Sequence, residues 1–274
     1  MHPSMKTRLK TPSSHYSKAD NRLDIVQPAS LRELSQAQLR YVLECKVAGI
    51  PDMQLLTYCF FRFSGLKVER DQTDGVLCSF RDGWRKRHAL LSHEAVREFA
   101  SMLAFINEPS EPARLDMISG CRAADPFMHG VTFEQYLMIE GFWYAFLQTK
   151  DEGLLLDIAK VLYRGKTWFT RRPKTPRALT EAEKLNVIYW LTGWKVYCGE
   201  HWSNFFRRVS DDVDDDDAED IESAISLQIR ALTGGDITKM AGIMSADVWD
   251  ALTELDFLAQ EAQKRKADSA KNNI

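Results

Sequence analysis

His88 and His93, with Glu94 beside the second, are the nearest approach to a metal-ligating set in this 274-residue chain. Two histidines on one helical face need a spacing of four. These two straddle a predicted strand-to-helix turn and lack a third ligand, so no metal is expected. Glu140 sits among Tyr136, Trp143 and Tyr144, and apolar surroundings of that kind raise a carboxyl pKa and suit a general acid. A lone carboxylate has no second titrating group to work with, and a structural ion pair with a nearby arginine accounts for Glu140 more simply. GxSxG, Walker-type phosphate loops and dinucleotide fingerprints are missing from the sequence. These residues predict a protein that is not an enzyme and carries no cofactor.

Cationic runs offer a different chemistry. In RDGWRKRHAL, Arg81, Arg85, Lys86, Arg87 and His88 surround Trp84. Basic side chains grip phosphate while an indole stacks on a base. Lys166, Trp168, Arg171, Arg172 and Lys174 form a second run of the same kind. Arg85, Lys86, Arg87, Arg171 and Arg172 are the candidate phosphate-binding residues. Two observations weigh against nucleic acid as the main partner: the net charge is -3, and hairpin edges carry Lys and Arg simply to discourage strand pairing. The acidic block SDDVDDDDAED lacks the alternating ligands, central glycine and closing glutamate of a calcium loop. It reads as a solvated linker, or as a charge that folds back on the basic surfaces.

The elements that position these residues are mostly helical. Ser30 with Glu33, Thr132 with Gln135, and Thr180 with Glu183 make capping-box starts. They predict helices over 30–48, from Phe133 to Leu147, and from Glu181 to about Phe206. Pro51 opens another helix that ends at Gly65, and Ser92 caps one from His93 to Ile106. Between 66 and 91 the period changes to alternation, with Asp74-Gly75 as a turn signal, so a β-hairpin or meander is expected there. ARLDMI is a further candidate strand. The helix from Phe133 is apolar on nearly every side and predicts a central core position; its apolar run is shorter than the roughly 20 residues a bilayer needs. Gly193 and Gly199 suggest kinks in the helix from Glu181. Asp236 and Ser245 are candidate caps near the end. The last helix, from Ala246 to about Ala267, repeats Val248, Ala251, Leu252, Leu255, Leu258, Ala259 and Ala262 on one stripe, with Trp249 and Phe257 off it.

The fold class that follows is mainly α, an irregular helical bundle with a small antiparallel hairpin or meander near residues 66–91. Four segments are expected: a disordered basic arm over 1–29, a helical core domain with a β-hairpin insertion over 30–209, an acidic linker over 210–220 and a C-terminal helical segment over 221–274. Hydrophobic residues make up 45% and charged residues 27%, an ordinary globular balance. Five cysteines in no repeated spacing predict buried thiols in a reducing compartment. The first twenty residues hold no apolar core segment, so no signal peptide is expected, and a cytoplasmic location follows. The terminal helix either packs back on the body or docks in a partner's groove. In the second case Trp249, Leu252, Leu255 and Phe257 are the partner-binding residues.

Two stretches carry a resemblance. VTFEQYLMIEGFWYAFLQTKDEGLLLDIAKVLYRGK and QIRALTGGDITKMAGIMSADVWDALTELDFLAQEAQ resemble helical proteins encoded in the tail-gene region of tailed phages and prophages, near the tape-measure gene. The resemblance implies a tail assembly chaperone or adaptor that keeps a long apolar helical protein soluble through exposed helices. Its partner would be a tape-measure or other tail component, in the host cytoplasm, with a homo-oligomer also open. The length, the basic arm and the hairpin depart from the usual small chaperone, which leaves a structural virion component, tail or connector, as the second expectation. A nucleic-acid-binding accessory protein is the third. No membrane association is expected.

Overall fold

The computed structural model describes residues 15–17, 22–166, 173–206 and 221–272. The basic arm over 1–29 therefore lies partly, and the acidic linker over 210–220 wholly, outside the described residues. The fold is mainly helical with some antiparallel sheet. Its chain divides into two compact units, Met1–Glu108 and Pro109–Ile274. The division cuts the single core domain expected over 30–209, and it falls in NEPSEP, where Pro109 and Pro112 bar any helix from crossing. The segment after 221 belongs to the second unit.

In the first unit β1 (His15–Ser17) and β2 (Arg22–Asp24) pair antiparallel. The single helix expected over 30–48 is split. Ser30 makes no side-chain cap, Leu31–Glu33 form one 3-10 turn, and the Glu33 carboxylate accepts the Ala29 N–H at 2.8 Å. Ser35 is the true cap, in a reciprocal box with Gln38, and α1 runs Gln36–Val47. Both Ser-x-x-Glu/Gln patterns are valid starts. The later one prevails because the turn between them buries Leu31 and Leu34 together.

α2 (Asp52–Ser64) leads into a meander of β3 (Lys67–Gln72), β4 (Gly75–Asp82) and β5 (Arg85–Leu91), paired antiparallel in that order. Gly75 has a φ of 148°, and a Cβ there would stand 2.2 Å from the Leu91 carbonyl oxygen. Only glycine lets β5 close over this turn. One face of β4, with Val76, Cys78 and Phe80, is buried. Ser92 caps α3 (His93–Ser101) through the Ala95 N–H. Phe60 of α2 and Phe99 of α3 stack at 5.6 Å. α3 stops short of the expected Ile106; a 3-10 turn at Ala104–Ile106 follows instead and buries Leu103 and Ile106.

The second unit contains a small sheet ordered β6 (Met117–Ile118), β7 (Cys121–Ala123), β8 (Tyr163–Lys166) and β9 (Pro173–Lys174). Its helices are α4 (Phe133–Thr149), α5 (Gly153–Leu162), α6 (Glu181–His201), α7 (Ile221–Thr233), α8 (Met240–Ser245) and α9 (Val248–Asn272). Capping boxes at Thr132 and Gln135 and at Thr180 and Glu183 open α4 and α6. Among the described residues no helix is long and apolar enough to cross a membrane.

The central helix is α6, and the expectation that α4 holds that place is corrected. α4 buries Phe133, Tyr136, Leu137 and Ile139. From Glu140 to Phe146 every residue is half-exposed, and Leu147 is 44% exposed. A helix greasy on all sides looks the same in sequence whether both faces are covered or one. α6 instead buries Trp190 and Trp194 completely, with Asn186 between its apolar neighbours.

Gly193 does not kink α6, which is one continuous helix. A Cβ on Gly193 would lie 2.1 Å from the Glu111 carbonyl oxygen, so glycine is there to let the 109–116 segment cross the helix. Gly193→Ala is expected to destabilise the protein by about 1–3 kcal/mol, the usual range for overpacking, whereas Gly199→Ala, with nothing within 4 Å of the added Cβ, should be neutral or stabilising. Thermal unfolding of the two variants checks the contrast.

Candidate functional site

The terminal helix α9 is the first predicted binding element, and its apolar stripe is already covered. Thr132 and Asp247 form an antiparallel bridge. The Phe133 N–H donates to the Ala246 carbonyl and the Val248 N–H to the Val131 carbonyl, both at 2.9 Å. Asp247 accepts the Gly130 N–H at 2.7 Å and the Trp249 N–H at 2.9 Å, so it caps α9 in place of the predicted Ser245. Ser245 instead donates back to the Gly242 carbonyl. Further along, the Asp256 carboxylate accepts from the backbone N–H groups of Asn204 and Phe205 and from the Asn204 amide.

Of the four predicted partner-binding residues, Leu252 is 0% exposed and Leu255 is buried with it in the core of the second unit. Trp249 is half-buried, stacked on His129 at 4.3 Å and packed edge-on to His201 and Trp202, while its indole N–H donates to the Phe127 carbonyl. Phe257 alone points outward, 52% exposed. The structure therefore does not bring these four side chains to one free surface. A stripe at helical spacing announces that a helix will be covered, but it does not say by which chain, and here the chain covers its own.

The basic hairpin is present, and its register sorts the candidate cations. Arg81 stands opposite Lys86, Phe80 opposite Arg87 and Asp82 opposite Arg85, which puts Lys86 and Arg87 on opposite faces. The Lys86 ammonium donates to Glu69 at 2.8 Å, and the Ser79 hydroxyl donates to the same carboxylate at 2.6 Å. Those two hydrogen bonds hold the Glu69 carboxyl at about 2, well below its ordinary value. Arg87 pairs with Asp82 at 2.7 Å. Arg85 lies over the Trp84 ring at 4.9 Å, and Trp84 is 87% exposed. Arg171, Arg172 and Trp168 lie outside the described residues. Lys174 donates to the Ser119 carbonyl at 2.7 Å and holds the small sheet together.

The remaining titratable candidates are structural. Glu140 forms the expected structural ion pair, but its partner is Lys195 of α6 and not an arginine. The Tyr136 hydroxyl beside it is pushed well above its ordinary value, by burial first and the Glu140 charge second. His93 contacts the Gln72 carbonyl at 3.0 Å and Asp71 at 3.7 Å. Among the described residues no group of three or more His, Cys, Asp or Glu is placed to hold a metal ion. All five cysteines are buried free thiols; burial raises Cys59 to about 12 and Cys78 to about 11, so neither is a nucleophile at neutral pH.

A feature that the sequence reading missed is a groove in the first unit. It has a volume of about 1020 Å³ and is walled by Tyr58, Phe61 and Arg62 of α2, Val68 and Asp71 of β3, and His93, Val96 and Arg97 of α3, with Tyr41 and Val76 also in the lining. Arg62 lies over the Tyr41 ring at 5.6 Å. No residue of β5 contributes, so the groove lies on the β3 side of the sheet, and β3 is an edge strand exposed along its whole length. The local signal for it is thin. β3 reads KVERDQ, which lacks clean alternation, and the aromatic positions of α2 look like ordinary core.

No family model, curated protein or solved structure matches the chain.

The packing of α9 has a direct consequence for stability. Leu252→Ala is expected to cost about 2–5 kcal/mol, the range for a fully buried leucine, and Phe257→Ala less than about 0.5 kcal/mol, as for a surface site. Chemical denaturation followed by tryptophan fluorescence checks both; a Leu252→Ala variant as stable as the parent would show that α9 is detachable.

Proposed function

We propose that the protein is a non-enzymatic adaptor or assembly chaperone that holds an extended, apolar-rich segment of another protein, and that its setting is tail building in a tailed phage or prophage. The observation that carries the binding mode is the groove of about 1020 Å³ beside the edge strand β3. An open strand edge presents backbone N–H and C=O groups to an incoming extended segment, and an adjoining groove takes alternate side chains. Tyr41, Tyr58, Phe61, Val68 and Val96 supply the apolar wall. Arg62, Arg97 and His93 share this lining with one acid, Asp71, so an apolar segment flanked by carboxylates is the best electrostatic match.

Charged side chains along β3 and a register shift between Val68 and Arg70 discourage indiscriminate strand pairing. Selection then falls to the groove. The phage setting rests on the resemblance of residues 131–166 and 228–263 to tail-region proteins, whose implied partner is a tape-measure or other tail component. With the stripe of α9 buried in cis, binding shifts from the terminal helix to the first unit.

Co-expression with a tape-measure-like protein, followed by affinity capture of the tagged chain, tests the reading. The two proteins are expected to co-purify, and Tyr58→Ala combined with Val68→Asp should cut recovery by about tenfold or more, the scale of losing one or two interface anchors. Both side chains are exposed, so the melting temperature should not move. Recovery unchanged in the double variant would sink the groove as the binding site.

A further inference from the structure

The β4–β5 ribbon has a second surface that the adaptor reading does not use. Successive residues of a strand face opposite sides. Val76, Cys78 and Phe80 turn inward, so Leu77, Ser79 and Arg81 turn outward with their register partners Leu90, His88 and Lys86. β3 extends this outer face with Lys67 opposite Ser79 and Arg70 opposite Leu77. Among the described residues Glu69 reaches this face, bonded to Ser79 and Lys86. The outer face is thus a cationic plane with a few apolar side chains between its charges. At the open end of the ribbon Gly83 and Trp84 form the turn, and the Trp84 ring, 87% exposed, carries the Arg85 guanidinium at 4.9 Å.

We propose that this ribbon binds single-stranded nucleic acid, with Trp84 as a base-stacking platform, Arg85 beside it at the turn, and Arg70, Arg81 and Lys86 of the outer face along the phosphates. Two independent features point to that ligand. An indole projecting from a turn loses apolar burial with no structural return, and a planar base is the ligand that covers one ring from one side. Arg81 and Lys86 are register partners on neighbouring strands, one residue pair in from the turn, which sets two positive charges side by side next to the Trp84 platform. Lys86 gives Glu69 one hydrogen bond and its side chain is exposed, so the remaining donors of the ammonium can meet a phosphate with the Glu69 bond intact. An anionic membrane would use the charges but would favour an apolar cluster at the tip, where Trp84 stands between Asp82-Gly83 and Arg85.

Fluorescence anisotropy of the full chain with a labelled oligothymidylate of about 15 nucleotides, within the site sizes of single-strand binders, tests this at low and moderate salt. The oligonucleotide is expected to bind, and Trp84→Ala to weaken it roughly 5- to 150-fold, the value of stacking one base, with the salt dependence unchanged. Arg81→Gln with Arg85→Gln should lower the slope of log affinity against log salt by about 1.4, at about 0.7 per phosphate contact on a single strand. Tyr58→Ala with Val68→Asp should leave this binding intact, which separates it from the groove. Four results would overturn the proposal: no binding at low salt, no effect of Trp84→Ala, tighter binding of the matched duplex, or Trp84-dependent binding to phosphatidylglycerol-containing vesicles in place of the oligonucleotide. Equal melting temperatures of parent and variants exclude misfolding as the cause.

Discussion

A closed ring of hydrogen bonds around Asn186 is the constraint on which the second unit depends. The Asn186 side chain is 0% exposed. Its carbonyl accepts the Leu115 N–H at 2.8 Å, its amide donates to the Tyr163 hydroxyl at 2.8 Å, and that hydroxyl donates to the Leu115 carbonyl at 3.0 Å. Each member satisfies another, which is the condition under which a buried polar network stabilises rather than costs. Burial pushes the Tyr163 hydroxyl far above its ordinary value, so it remains a neutral donor throughout the physiological range. The same face of α6 continues the job. Trp190, one turn on, lies under the Arg114 guanidinium and donates to the Pro126 carbonyl, and Gly193, two turns on, leaves room for the backbone of Glu111 and Pro112. An irregular segment is thereby laid across a helix at the spacing of i, i+4 and i+7.

With that frame in place, α9 closes the core and gives up its apparent freedom. Its first turn is tied by backbone hydrogen bonds to the entrance of α4, and Asp256 caps the turn that follows α6. Apolar burial and satisfied backbone groups act together here, so pulling the helix away would expose Leu252 and Leu255 and orphan several donors at once. The helix that most resembles a docking peptide in sequence is therefore structural. The surfaces left to meet other molecules in the first unit belong to the sheet and its flanking helices.

What could be read from sequence was what is decided locally. The capping boxes at Thr132 and Thr180, the Ser92 cap and the change to period two around Asp74-Gly75 all depend on residues within a turn or a strand of each other. The errors have the opposite character. Ser30 and Ser35 compete as caps, and only the shared burial of Leu31 and Leu34 decides between them. Gly193 reads as a helix weakness until Glu111 arrives from 82 positions away. The greater apolarity of α4 says nothing about which helix ends up in the middle. The groove depends on α2, β3 and α3 meeting, and its lining includes Arg62, Arg97 and Asp71, which a search for apolar stripes passes over. Trp84 and its neighbouring cations were legible because a turn places them together whatever the rest of the chain does.

The first unit separates its two surfaces with one extra residue. In a regular strand continuing from the Lys67–Ser79 and Val68–Cys78 pairs, Glu69 would stand opposite Leu77 and Arg70 opposite Val76, turning a guanidinium toward the buried face. The register shift between Val68 and Arg70 places Arg70 opposite Leu77 and Asp71 opposite Val76 instead. A bulge does this because one inserted residue exchanges the faces of everything after it. The positive charge of Arg70 is thus kept on the outer plane. Asp71 goes to the groove side, near His93, and Glu69, the residue passed over, reaches Ser79 and Lys86 so that one carboxylate links all three strands. Because those bonds depress its pKa, the link is in place above the ordinary carboxylate range and lost only as pH falls toward about 2. A three-stranded sheet with one buried face has little packing to hold its edge strand, and this cross-strand carboxylate fixes β3 where both the groove wall and the cationic plane require it.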